Sequence, residues 1–138
     1  MKDSDSVRTP EYILKAIRDE FGEELYDPCP FNPKFDPKVH KDGLTTEWGK
    51  VSFVNPPYSF LRPWFKKSSE QWKLGKTVIL FVKLSNLGTQ YARKYTPGAE
   101  IRIIVNKICF PGYEKCALFN NILVIFRAGE HTTKYSIV

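Results

Sequence analysis

Apolar residues along this chain first recur at helical spacing, then gather into short continuous runs. Ile13, Leu14, Ile17 and Phe21 fall on one face of a helix. Thr9 is a good cap ahead of them, Pro10 suits a first helical position, and Gly22 is a natural stop. A helix is therefore predicted from Thr9-Pro10 to Phe21. Residues 1–8 are polar and predict a flexible N-terminus, leaving 9–138 as one domain. Leu25-Tyr26-Asp27 reads as a very short strand. Residues 28–50 hold four prolines and two glycines without periodicity, so an irregular loop is expected. Phe31, Phe35 and Trp48 give that loop something to pack with, which favours a functional loop over a tether.

Val51-Ser52-Phe53-Val54 predicts a short buried strand. A helix follows from about Leu61 to Leu74, ended by Gly75. The unbroken run Thr77-Val78-Ile79-Leu80-Phe81-Val82 has the look of a central parallel strand covered on both faces. Residues 87–95 are helical in pattern and stop at Thr96-Pro97-Gly98. Ile101 to Val105 is a further strand. Ile122 to Phe126 is another, either a sheet edge or its antiparallel partner. Strand–helix–strand–helix–strand from 51 to 105 implies an α/β fold, a mainly parallel sheet flanked by helices with right-handed crossovers. Ligands of such sheets bind outside the carboxyl ends of the strands. Those ends carry Asn55, Lys83 and Asn106-Lys107.

Composition adds three points. The 138 residues set one domain as the expectation. Lys and Arg number 21 against 15 acids, a net charge of +6, which favours a polyanionic partner. Cys29, Cys109 and Cys116 are scattered, with only His40 and His131 beside them, so neither a structural metal site nor a disulfide framework is expected. Their thiols suit a reducing interior. No apolar run opens the chain or approaches the length of a membrane span, so neither a secretory signal nor a membrane segment is expected.

The chemistry concentrates at Asn55-Pro56-Pro57-Tyr58, directly after a strand. An amide oxygen and a carbonyl of the stiff Pro-Pro unit can accept from the two N–H bonds of a planar amine. The Tyr ring can stack on the heterocycle that carries it. Arg62, Lys66, Lys67, Lys73 and Lys76 lie on or just after one helix, as a solvated surface or a phosphate track. Lys83 and Lys107 are the better phosphate candidates, being at strand ends on the expected ligand side.

The chain resembles the small phage-type, Dam-like DNA N6-adenine methyltransferases. The resemblance runs from about 9 to 127. It rests on Thr9-Pro10, Phe21-Gly22, Asp27-Pro28-Cys29 with Asn32, and Asp42-Gly43-Leu44. Trp48, Phe53-Val54-Asn55-Pro56-Pro57-Tyr58-Ser59, Trp64, Ile108-x-Phe110 and the late strand complete it. It implies a shortened Rossmann-like methyltransferase domain that uses S-adenosylmethionine and acts on DNA. By the same resemblance, Asn55 and the Pro56 carbonyl hold the adenine amine and Tyr58 stacks on the flipped base. Pro57, Ser59, Lys83 and Lys107 complete the substrate side. Thr9, Pro10, Asp27, Asn32 and Asp42 hold the methyl donor: Thr9-Pro10 and Asp27 its amino-acid end, Asp42 its adenine. Asp36 is a candidate for its ribose. No metal is required. The implied location is intracellular and cytoplasmic, the host cytoplasm if the chain is viral.

The chain departs from the family pattern in three places. The turn Phe-x-Gly-x-Gly of larger methyltransferases is replaced by Asp27-Pro28-Cys29-Pro30-Phe31-Asn32. Lys83-Leu84 stands for a Leu-Pro step, and Asn106-Lys107 for a Gly-Arg pair. Other readings share the motif: an amine methyltransferase on RNA or protein, a non-catalytic nucleic-acid binder, or a half-enzyme completed by a homodimer or second subunit. Asn55→Ala is expected to abolish transfer and barely touch the fold, the amide being taken as an exposed strand end.

Overall fold

The computed structural model describes residues 7–31, 42–129 and 131–136. Helix α1 (Glu11–Phe21) leads to a single parallel bridge between Tyr26 and Ser52, all that forms of the short strand expected at 25–27. A short helix α2 (Asp42–Thr45) interrupts the predicted loop. Strand β1 (Val51–Val54), helix α3 (Arg62–Lys73) and strand β2 (Thr77–Lys83) follow, β1 and β2 pairing in parallel. The helix expected at 87–95 is two pieces, a 3-10 helix at Leu84–Gly88 and α4 (Gln90–Tyr95). The break falls at Thr89, whose Oγ1 caps α4 by accepting from the Ala92 N–H at 3.2 Å. Strands β3 (Glu100–Ile104), β4 (Asn121–Phe126) and β5 (Thr133–Ser136) complete the sheet.

The sheet order is β1-β2-β4-β3-β5. It is mixed, not mainly parallel, which corrects the sequence expectation. β4 lies between β2 and β3, antiparallel to both, while β1 with β2 and β3 with β5 are parallel. The physical reason lies in the connection. A parallel neighbour needs a crossover, usually helical. Residues 105–120 form no helix, so the chain re-enters the sheet from the end at which it left. Periodicity reports burial and is blind to strand direction.

Alternation along the strands divides the core. Val78, Leu80 and Val82 of β2 join Ile122, Val124 and Phe126 of β4 under Trp64, Phe65 and Ala92 of α3 and α4. Ile79, Phe81, Leu123 and Ile125 face the other way, with Phe53, and pack beneath Ile13 and Ile17 of α1. Both central strands are thus covered on both faces, and six consecutive β4 residues are buried. Val7, expected in a loose tail, is buried in the α1 layer.

The remote end of the sheet is tied by charge. Glu100 is fully buried and accepts from Arg102 at 2.7 Å and Arg127 at 2.6 Å, while Glu20 of α1 also pairs with Arg102. Burial works to raise the Glu100 carboxyl, but the two guanidiniums outweigh it and hold it below the usual carboxylate range. Lys76 is likewise engaged, donating to the Trp48 carbonyl at 2.7 Å and to Gln71 at 2.9 Å. It therefore leaves the set of candidate phosphate contacts. Cys109 and Cys116 are joined as a disulfide, contrary to expectation. The backbone bond from Ala117 N–H to the Ile108 carbonyl closes the loop that carries them, a pairing that sequence spacing alone did not signal.

Candidate active site

Asn55, Lys83 and Asn121 stand at one end of the sheet, where β1 and β2 finish and β4 begins. Continuing the alternation from Phe53, Phe81 and Leu123 puts all three on the α1 face. The carboxyl-end rule therefore groups these three residues even in a mixed sheet, because β1 and β2 both run toward that end.

Asn55 is half-buried, not the exposed amide expected from sequence. Its Nδ2 donates to the Val7 carbonyl at 2.7 Å and to Thr9 Oγ1 at 2.9 Å. A carbonyl can only accept, so the Val7 contact fixes which end of the amide is nitrogen. Both N–H bonds are spent on the segment before α1. Oδ1 accepts from no described residue. The two prolines differ in the same way. The Pro57 carbonyl accepts from the Phe60 N–H at 3.3 Å, whereas that of Pro56 has no such partner among the described residues. Both residues are buried, and Ser59 beside them is exposed.

Tyr58 is held at its hydroxyl. Asn121, fully buried, donates from Nδ2 to the Val82 carbonyl and to Tyr58 Oη, each at 3.2 Å. Burial pushes the phenol up to about 12, so it stays neutral and offers its ring, not a phenolate. Phe119 meets that ring edge-on, centroids 6.1 Å apart at 85°. Lys83 Nζ lies 4.9 Å from the Tyr58 centroid and 4.2 Å from that of Phe119. Neither Asn121 nor Phe119 was singled out from sequence. An amide opening an otherwise apolar strand was the available signal.

On the other side of Asn55, a recess of about 130 Å³ is lined by Thr9, Asp27, Cys29, Phe31, Phe53 and Asn55 among others. Asp27 accepts from the Cys29 N–H at 3.0 Å, an Asx turn at the end of the Tyr26 bridge. Although Asp27 is exposed at the surface, desolvation by the atoms packed around it raises its carboxyl, and that single N–H offsets the rise only in part. No cation pairs with it among the described residues. The Cys29 thiol is pushed up to about 12 by burial and by Asp27, so it is a packing residue.

Thr9 does not cap α1. Pro10 occupies the cap position, its carbonyl accepting from the Ile13 and Leu14 N–H groups, and Thr9 is turned to Asn55 instead. Gly43 brings α2 against the Asp27-Pro28-Cys29 turn. A Cβ there would collide with the Pro28 carbonyl and the Trp64 ring. Trp48 fixes α2 from below, donating from Nε1 to the Gly43 carbonyl at 2.6 Å and stacking on Trp64. Asp42 opens α2, but its side chain lies outside what is described, as do Asn32 and Asp36 altogether. Lys107 is exposed in the loop after β3, at the same end of the sheet. Arg62 and Lys66 are exposed on the first turns of α3, just after the Asn-Pro-Pro-Tyr turn.

Read along the sheet edge, the order is an anion at Asp27, an amide oxygen at Asn55 and a cation at Lys83. The fold is α/β, with its polar groups gathered where two parallel strands end. Within that class, the chain belongs to the DNA N-6-adenine-methyltransferase (Dam) family, whose model matches residues 1–128. It is thus a DNA adenine N6-methyltransferase with S-adenosylmethionine as methyl donor. A comparison with individual curated proteins gives no match. Among the described residues no helix is long and apolar enough to cross a membrane.

Proposed function

We propose that Asn55, Pro56 and Tyr58 form the amine site of this enzyme, within a shortened Rossmann-like methyltransferase domain. The observation that carries this reading is the locked Asn55 amide. Its nitrogen is committed to Val7 and Thr9, so only an acceptor faces the ligand. Adenine N6 carries two N–H bonds. Asn55 Oδ1 takes one and the Pro56 carbonyl the other, while Tyr58 stacks on the base after it leaves the duplex.

Bound S-adenosylmethionine supplies an electrophilic methyl group. The chain's own part is positioning and charge. Two fixed acceptors draw the N6 hydrogens out of the ring plane and turn the lone pair away from conjugation. As N6 becomes cationic, both acceptors bind it more strongly than they bound the neutral amine, which lowers the barrier. Asn121 keeps the Tyr58 ring in place by its hydroxyl.

The recess fits the cationic amino-acid end of the donor. Asp27 offers a carboxylate with no competing cation among the described residues, and Thr9 keeps a hydroxyl hydrogen after accepting from Asn55. Asp27 receives the ammonium group and Thr9 the carboxylate. Pro10 sets the backbone between them and α1. Asn32 and Asp42 belong to the donor side on the motif match alone. On the other side, Lys107 contacts phosphate, and Pro57, Ser59 and Lys83 border the base. The enzyme acts inside the cell, in a host if it is of phage origin, and alone or as a homodimer or with a second subunit.

Calorimetric titration with S-adenosylmethionine tests the donor side. One-site binding that Asp27→Asn weakens and Tyr58→Ala spares supports the assignment. Equal loss in both variants, or unchanged affinity in Asp27→Asn, removes it.

A further inference from the structure

Lys83 is half-buried, yet its ammonium makes no hydrogen bond or ion pair among the described residues. It lies between the rings of Tyr58 and Phe119. Three other half-buried cations, Lys76, Arg102 and Arg127, are placed differently, whereas Lys67 on α3 also lacks a partner among the described residues but lies away from these rings. Lys76 meets a backbone carbonyl and a side-chain amide oxygen, and Arg102 and Arg127 share Glu20 and Glu100. An ammonium carries three donors, and two ring faces satisfy its charge in part but none of its hydrogen-bonding capacity. A site of this kind is completed by an acceptor on a ligand.

Three features say which ligand. Lys83 ends the strand next to that of Asn55, on the same face. It lies against Tyr58, the ring proposed to stack on the base. It is also on the side of Asn55 away from Asp27, so a cationic donor is drawn one way and repelled the other. An acceptor-bearing, uncharged ligand belongs beside Lys83. We infer that Lys83 reads the target base itself, donating to the ring nitrogen that flanks the amine, N1 or N7 of adenine, with Phe119 as a second wall of the pocket. This rests on the amine-site reading above. It moves Lys83 from the phosphate contacts expected from sequence to the specificity-determining residues.

The selectivity follows from donor and acceptor patterns. Cytosine shares the pattern of an amine beside a ring acceptor and N7 is common to both purines, but at N1 adenine is unprotonated whereas guanine and thymine present a ring N–H at that edge. An ammonium there opposes their donors. Asn55 and Pro56 require an amine, Lys83 requires an acceptor next to it, and together they describe adenine more narrowly than either does alone.

The test uses the full chain and a single-stranded oligothymidylate with one central adenine, which needs no base flipping. Binding is followed by fluorescence anisotropy for adenine and for its 1-deaza, 7-deaza and amine-free purine replacements. In the wild type, one of the two deaza bases is expected to bind about 10-fold or more weakly, the scale of a lost charge-assisted hydrogen bond. Lys83→Met should bind adenine and that deaza base equally, with an unchanged salt slope. Lys83→Arg should restore part of the difference, which guards against a folding defect in the Met variant. Equal wild-type affinity for adenine and both deaza bases overturns the inference, as does a deaza penalty that persists in Lys83→Met. Uniform weakening of every oligonucleotide, with a slope reduced by about 0.7, returns Lys83 to the phosphates. The amine-free purine reports separately on Asn55. If it binds as adenine does, the amine site fails whatever the deaza bases show.

Discussion

Replacing Asn55 by Ala removes two things that the structure allows to be separated. The first is a tether. Loss of the hydrogen bonds to Val7 and Thr9 costs about 0.5–1.5 kcal/mol each. At about 2 kcal/mol in total, a chain of this size loses roughly 6–10 °C in Tm. The second is the acceptor Oδ1. Removing a fixed group aimed at developing charge costs about 10²–10³ in rate. The assay is single-turnover methyl transfer to DNA at saturating donor, with thermal unfolding on the same preparations. Lys76→Met is the control. It removes bonds to the Trp48 carbonyl and Gln71, and so lowers Tm comparably at the remote end of the sheet. The expected result is a rate loss of at least about 10²-fold in Asn55→Ala and under about 3-fold in Lys76→Met. Asn55→Ala within a few-fold of wild type, or a rate loss in Lys76→Met that matches it, would refute the reasoning.

Further expectations follow from the charges. Because desolvation raises the carboxyl of Asp27, exposed though it is, donor affinity should fall as pH drops through a value above the ordinary 3.8, while Asp27→Asn is weak and flat over the same window. A titration whose acid limb is the same in both proteins contradicts the assignment. Glu100 is held below its ordinary value, so its stabilisation is present above the unfolded pKa and lost as pH falls through the folded one. Glu100→Gln should cost about 3 kcal/mol at neutral pH, by leaving Arg102 and Arg127 without their buried carboxylate, and should flatten the acid decline. Denaturant titrations at neutral and acid pH measure both. Lys107→Ala should reduce the salt slope of duplex binding by about 0.9 and leave donor affinity unmoved. An unchanged slope removes Lys107 from the phosphate contacts.

Much of this candidate site could be read from the chain because its residues occupy punctuation points. Asn55 follows the short run Val51-Ser52-Phe53-Val54 and Lys83 the longer run Thr77–Val82, so strand ends were visible as changes of character. The helix after the Asn-Pro-Pro-Tyr turn was placed within a residue of its ends, since Gly75, with φ of 89°, admits few alternatives. What escaped was set by contacts between distant segments. The antiparallel insertion of β4 depends on how 105–120 returns to the sheet, and apolar runs carry no direction. Thr9 as a partner of Asn55, Asn121 as the anchor of Tyr58, and Phe119 beside it each join segments more than 45 residues apart. Strand β5 is short and polar, so neither apolar period marks it.

The most direct test is the product. The purified chain is incubated with isotopically labelled S-adenosylmethionine and unmethylated DNA, and the DNA is digested to nucleosides. The account predicts label in N6-methyl-2′-deoxyadenosine, abolished by Asn55→Ala in a protein that still binds the donor. Label on cytosine, or label on adenine that survives loss of the Asn55 amide, would contradict it.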